Sequence, residues 1–329
     1  MEEKELIVSP WPHIKSDVTI PKLMYGVIIA LLPAALVSIY FFGISALQVI
    51  LVCIIVSIVT EGVFQKIIGE DITINDGSAA LTGLLLGMNL PPGAPWWLSL
   101  VGSVIAIAIG KHVYGGLGHN PFNPAIVARV FLLISFPLQM TTWQRPHPIL
   151  SGVDVTTGAT PLGDLQTARM MNTGLGDAAR FNIIDGLWGN MGGSLGEVSA
   201  AALLIGALYL LYKRYITWHI PLSMIGTVVV FSGIFWLIDP SKYANPLFHL
   251  FTGGLMIGAF YMATDMVTSP ITIKGQLIFG VGCGLLTIII RMWGGYPEGV
   301  SFAILLMNAV TPLIDKNIIS TRYGEKAVE

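Results

Sequence analysis

Apolar positions in this chain come in long uninterrupted runs, without the alternation of a half-buried strand or the polar face of a surface helix. Leu23 to Thr60 and Gly77 to Gly110 contain no charged residue at all. Each is longer than one core helix needs and fits a pair of membrane spans. Runs bounded by charge or by Gly and Pro place spans near 23–42, 45–65, 78–91, 95–114, 121–137, 196–212, 218–238, 247–264, 274–292 and 299–314. The fold predicted is all-α integral membrane, with about ten helices. Between the fifth and sixth lies the one long polar connection, Leu138 to Ser194, which holds Arg145, Asp154, Asp164, Arg169, Asp177, Arg180 and Asp185.

Composition sharpens this picture. Only 11% of residues are charged and 54% are hydrophobic, against about 25% charged in an average soluble domain, so a soluble enzyme is excluded. A net charge of −2, with basic residues scattered through short connections, leaves no electrostatic footprint for nucleic acid. The first twenty-two residues lack the short apolar stretch and small-residue cleavage site of a signal peptide, so the first span is expected to stay as an anchor. Cys53 and Cys283 each stand alone in an apolar run, which writes neither a disulfide framework nor a metal site.

An even number of spans puts both termini on one side. If that side is cytoplasmic, the inner connections carry Lys4, Lys15, Lys22, Lys66, Lys111, Lys213, Arg214, Lys274, Lys316, Arg322 and Lys326, and the outer ones only Arg145, Arg169, Arg180, Lys242 and Arg291. The positive-inside rule then turns the long loop outward. The expected organisation is a cytoplasmic segment 1–22, a five-helix repeat 23–137, the outward loop 138–194, a second repeat 195–315 and a cytoplasmic tail 316–329. Thr82-Gly83-Leu84-Leu85-Leu86-Gly87 is echoed by Thr252 to Gly258, and Tyr114-Gly115-Gly116 by Trp293-Gly294-Gly295. Five spans per half would invert the second copy relative to the first, a plan that places sites near the pseudo-two-fold axis at broken helices. Pro91-Pro92-Gly93-Ala94-Pro95 and Pro121/Pro124 are natural break points.

The outward loop contains Asp154-Val-Thr156-Thr157-Gly158-Ala159-Thr160-Pro161. Gly158 and Ala159 leave the Thr160 hydroxyl unobstructed, and Pro161 limits the backbone beside it; taken alone, such a stretch is an ordinary turn. It resembles the Asp-x-x-Ser/Thr-Gly-Ala-Thr motif of the membrane subunits of Rnf and sodium-pumping NADH:quinone reductase complexes. Further segments resemble the same family: Ser9-Pro10 with His13, Asp76 to Leu81, Gly115 to Ala125, Ala263-Thr264-Asp265 and Trp293 to Gly299. The short N-terminus and the Gly-His-Asn-Pro-Phe-Asn-Pro-Ala segment are similar to the Rnf D branch. Met266 departs from the family, where Pro commonly follows Ala-Thr-Asp.

The resemblance implies FMN joined through its phosphate to Thr160 by a flavin transferase outside the membrane, with Asp154, Thr157, Gly158 and Ala159 as the surrounding site. It implies a second, non-covalent flavin, riboflavin, near Asn120 and Asn123 on the inner side, where the bland alternative is a well-capped helix start. It also implies the A, B, C, E and G subunits of Rnf as partners, coupling to Na⁺ or H⁺, and a place in a bacterial or archaeal cytoplasmic membrane. Asp76, Asp265 and Asp315 are the candidate ion-coupling carboxylates, although carboxylates at span edges are usually solvated or capping. Arg129, inside the fifth span, is expected to snorkel, pair with a carboxylate or face a phosphate. Trp143 and Trp188 read as interfacial anchors before flavin-stacking rings. Rival readings are an inverted-repeat transporter without cofactor and a structural scaffold. An aquaporin is disfavoured, because Asn123-Pro124-Ala125 has no second copy.

Overall fold

In the computed structural model, which describes residues 18–69, 71–146, 157–171, 174–175 and 182–318, the described residues form helices joined by turns and loops and include no strand, only the isolated bridge between Gln144 and Thr157. Of the expected features, most of the segment 1–22, Asp154 and most of the tail 316–329 lie outside the described residues. The helices are α1 (Ile20–Ile68), α2 (Ser78–Met88), α3 (Trp96–Ala108), α4 (Pro124–Ser135), α5 (Pro137–Met140), α6 (Pro161–Met170), α7 (Ile183–Trp188), α8 (Ala200–Tyr212), α9 (His219–Ile238), α10 (Pro246–Phe251), α11 (Leu255–Ile257), α12 (Ile273–Trp293) and α13 (Val300–Asn317). Among the described residues four stretches are long and apolar enough to cross a bilayer: Ile20–Ile68, Trp96–Tyr114, His219–Ile238 and Ile273–Trp293. Shorter apolar helices, among them α2, α4 and α8, pack between them.

As one rod, α1 would measure about 73 Å, far more than a bilayer core of about 30 Å. Gly43 leaves helical geometry at φ 65°, ψ −143°, a region open mainly to glycine. Both ends of α1 then meet one loop: the Tyr25 hydroxyl donates to Asn75 O at 3.5 Å, and Gln65 Nε2 donates to Thr73 Oγ1 at 2.8 Å. The helix therefore folds back at Gly43, where the pattern of apolar runs separates the first two spans.

Small residues let these helices approach backbone to backbone, as membrane helix packing requires. A Cβ on Gly206 of α8 would lie 1.9 Å from Ala30 O and 2.3 Å from the Tyr261 hydroxyl. That hydroxyl donates to Leu203 O at 2.8 Å and so staples a third segment to the contact. Gly206→Val should destabilise the chain by at least about 1–3 kcal/mol, the usual cost of overpacking. Its thermal midpoint in detergent checks this; an unchanged midpoint would show the contact to be loose.

Two expected spans are not continuous. The run 247–264 breaks at Thr252-Gly253-Gly254, with Gly253 at φ +69°, and resumes through α11 into a π-helical turn, Gly258–Met262. The run 95–114 stops being α-helical after Ala108 and ends in a 3₁₀ turn, His112–Tyr114. Apolarity reports burial, whereas continuity depends on glycine conformations that hydropathy does not register. The polar connection 138–194 itself contributes α6 and α7, and α6 is tied to the end of α12 by Gln166 Nε2 donating to Gly294 O (3.2 Å) and Arg169 Nη1 donating to Arg291 O (3.2 Å).

Candidate functional site

Helices α2 and α4 connect two polar centres. Ser78, at the start of α2, belongs to one and Asn89, just past its end, to the other, about 16 Å of helical rise apart.

The first centre surrounds Thr160. This residue N-caps α6, its Oγ1 accepting from Gly163 N at 3.1 Å, and it is buried. The bridge between Gln144 and Thr157, with Gly158 N donating to Trp143 O at 3.0 Å, holds the preceding turn against 143–144. Gly158 leaves room there for Arg145, whose Nε a Cβ would approach to 2.6 Å. Thr160 stands at the junction of two cavities. One, of about 360 Å³, is walled by Ala159, Thr160, Gly163, Trp143, Arg129, Tyr296, Phe302 and Glu298 among others. The smaller one, of about 10 Å³, lies between Thr160, Gly193, Glu197, Gly253 and Glu298.

Arg129 of α4 organises the wall. Its guanidinium donates to Asn89 Oδ1 and to Glu298 Oε2, and its Nη2 lies 3.6 Å from Glu197 Oε1. Of the three roles open to it from sequence, it pairs with carboxylates and also lines the cavity. Arg291 supports the same corner, donating to the backbone carbonyls of Glu298 (3.0 Å), His249 (2.6 Å) and Thr252 (3.0 Å). At the end of α6, burial lowers the Arg169 guanidinium from its ordinary value, with Tyr243 5.6 Å away opposing the effect. Trp143 lines the larger cavity, whereas Trp188 is exposed.

An aromatic-walled cavity that offers a hydroxyl, the positive start of a helix and a guanidinium suits a flat ring system with an anionic phosphate. These residues fit FMN.

The second centre lies at the other end of α2 and α4. Asn123 caps α4, its Oδ1 accepting from Ala125 N (3.1 Å) and Ile126 N (3.4 Å), while its Nδ2 donates to Met262 O (3.3 Å) in the π-helical turn. It also lines a cavity of about 240 Å³ with Tyr215, Phe260, Tyr261 and Asp265, so cap and cavity wall coincide in one residue. Asn120 donates to Phe122 O at 3.0 Å and its Oδ1 is buried without a hydrogen bond.

The three ion-coupling candidates separate. Asp265 faces this cavity and accepts from Thr268 Oγ1 at 3.1 Å. Asp76 accepts from Ser78 N (2.8 Å) and Ser78 Oγ (2.6 Å), a capping geometry at the start of α2. Asp315 accepts from Ile271 N at 3.2 Å, which ties α13 to the loop before α12.

Sequence reasoning missed the ion pair behind Asp76. Lys111 Nζ lies 2.5 Å from Glu61 Oε1, with side chains only 2% and 1% exposed, and also donates to Ser78 Oγ at 2.6 Å. The chain Glu61, Lys111, Ser78, Asp76 is thus continuous. Its signal was present: Lys111 falls inside a run placed as a span. Glu197 was missed as well, a single carboxylate at the mouth of the apolar run that becomes α8. Among the described residues no group of three His, Cys, Asp or Glu side chains could hold a metal ion.

Comparison with known proteins agrees in extent. A model described as the NQR2, RnfD, RnfE family matches residues 7–324. The chain is 49% identical over 322 residues to the D subunit of the proton-translocating ferredoxin:NAD(+) oxidoreductase complex of Clostridium ljungdahlii, covering 97% of this chain and 96% of that one. It is 47% identical over 327 residues to the D subunit of the Na(+)-translocating ferredoxin:NAD(+) oxidoreductase complex of Acetobacterium woodii, covering 98% and 97%. To the D subunit of the ion-translocating oxidoreductase complex of Stutzerimonas stutzeri it is 43% identical over 330 residues, covering 94% and 93%.

Proposed function

Because the chain belongs to the NQR2, RnfD, RnfE family over nearly its whole length, we propose that it is the membrane electron-relay subunit of an Rnf-type ferredoxin:NAD⁺ oxidoreductase, that it carries FMN on Thr160, and that it couples electron transfer to the movement of Na⁺ or H⁺. The observation that carries this reading is the position of Thr160, the capping residue of α6, at the edge of an aromatic-walled cavity of about 360 Å³.

A flavin supplies one- and two-electron chemistry there. The chain supplies the setting: the Thr160 hydroxyl as the ester oxygen, the positive start of α6 and the Arg129 guanidinium toward negative charge, and Trp143, Tyr296 and Phe302 as aromatic walls. Nothing in the sequence offers a dinucleotide fingerprint or a cysteine cluster, so nicotinamide and iron–sulfur chemistry fall to the A, B, C, E and G subunits of such a complex. A flavin transferase makes the ester, and riboflavin takes the cavity at Asn123 and Asp265.

We place the chain in the cytoplasmic membrane as ten spans in two inverted halves, termini inside and the 138–194 loop outside. The inversion is supported by two buried cations at corresponding places, Lys111 at the end of the fourth span and Arg291 at the end of the ninth, each close before a Gly-Gly pair. The two halves thereby give the site at Thr160 and the cavity at Asn123 opposite faces of the bilayer.

A denaturing gel viewed under blue light tests the cofactor. A fluorescent band from cells that possess the transferase is expected; a dark band would leave a transporter or scaffold. For coupling, Asp265→Asn should lower ion transport in vesicles severalfold more than it lowers ferredoxin-to-NAD⁺ electron transfer, since a neutral side chain at the inner cavity keeps the packing and loses the charge. Equal losses would reduce Asp265 to a structural role.

A further inference from the structure

A buried carboxylate, Glu197, and a partly buried one, Glu298, share one guanidinium beside Thr160. Side-chain exposure is 4% for Glu197 and 16% for Glu298, and Arg129 reaches both. The arrangement is unequal. Arg129 hydrogen-bonds Glu298 directly, whereas Glu197 Oε1 is buried, 3.6 Å from Arg129 Nη2 and without a hydrogen bond of ordinary length, with the Ser194 hydroxyl beside the same carboxyl. The carboxyl of Glu298 is itself close enough to hydrogen-bond that of Glu197. Two like charges this close repel each other, and a proton placed between them removes the repulsion.

The other ionisable groups nearby do not supply a donor to Glu197 Oε1. Arg291 spends its N–H groups on three backbone carbonyls, His249 is buried behind it, Tyr296 lies on the wall of the larger cavity, and Arg169 points to Arg291 O.

We propose that Glu197 and Glu298 hold a single proton between them, so that with Arg129 and Arg291 this corner carries one net positive charge facing Thr160. The pair is a positioning device for charge. Its net positive charge favours an anionic phosphoester and any electron that arrives in the cavity from an iron–sulfur or flavin centre of the complex. When the O–H bond of the pair breaks, the proton leaves to water past the more exposed Glu298, and the corner becomes neutral. Adding an electron in that state brings the proton back from water. This last step rests on the flavin reading above; the shared proton does not.

Infrared spectroscopy of the whole complex, grown with ¹³C-labelled glutamate, tests the proton itself. At neutral pH a protonated-glutamate carbonyl stretch is expected in the native complex and in Thr160→Ala, and it should vanish in Glu197→Gln and equally in Glu298→Gln, because either remaining carboxylate is then ionised against Arg129. No such stretch in the native complex, or one that survives either substitution, overturns the proposal. Redox titration adds a readout that packing alone would not move: the native flavin potential should bend with pH where the pair titrates, and Glu197→Gln should lack that bend. The two readings fail separately. A dark gel with the stretch retained removes the flavin alone, and a fluorescent gel without the stretch removes the shared proton alone.

Discussion

Thr160→Ala should give a complex in which this chain is dark under blue light and whose ferredoxin-to-NAD⁺ electron transfer falls to the background of a preparation lacking the chain. Alanine removes the oxygen to which we assign the phosphoester. It also removes the cap on α6, where Oγ1 accepts from Gly163 N, at a cost of about 1 kcal/mol. That structural cost is small beside the packing of a multi-helix membrane chain, so the variant should still be incorporated. Thr160→Ser separates the two effects, because it keeps both hydroxyl and cap. It should retain the cap and restore fluorescence to the extent that the transferase accepts a primary alcohol. If Thr160→Ala were dark and yet transferred electrons at the native rate, the relay would have to run elsewhere.

The largest loss of stability is expected from Lys111→Met. Glu61, 1% exposed, would be left with its carboxylate facing a thioether, and stranding one member of a buried ion pair costs about 3–5 kcal/mol. His112, whose Nε2 lies 4.0 Å from the same oxygen, offers part of the missing charge if it becomes protonated. Ser78, which accepts from Lys111 and donates to Asp76, would lose the donor that aligns it at the start of α2. Replacing both partners, Glu61→Gln with Lys111→Met, should recover most of the loss, since a pair exchanged for groups of similar size and no charge is close to neutral. Thermal unfolding in detergent reads both. A single variant no less stable than the double one would mean that the pair is hydrated, contrary to its burial.

Much of this architecture was legible in the sequence because a bilayer imposes a crude and readable rule. Apolar runs had to be helical, and the split of the first run near residue 43 falls where Gly43 turns α1 back on itself. What stayed hidden depended on backbone conformations of single glycines and on partners distant in sequence. Thr252-Gly253-Gly254 sits inside an apolar run that scores like any span, and only the left-handed Gly253 shows it to be broken. At the site, Thr160 was visible as a motif and Asn123 as a cap. Arg129 was visible as an anomaly without an address: Asn89 lies 40 residues before it and Glu298 169 residues after it, separations that carry no local periodicity. Glu197 was invisible for a related reason. A carboxylate at the entrance to a span normally reads as solvated, and only the fold places it under Thr160.

The hydroxyl capping α6 is the atom to which we assign the flavin. Peptide mapping by mass spectrometry across Ser151 to Arg169, on the chain taken from its native complex, tests it most directly. The expected spectrum shows the peptide heavier by one FMN less one water, with fragment ions assigning the addition to Thr160. The same peptide at its unmodified mass, or the addition on any other residue, would contradict it.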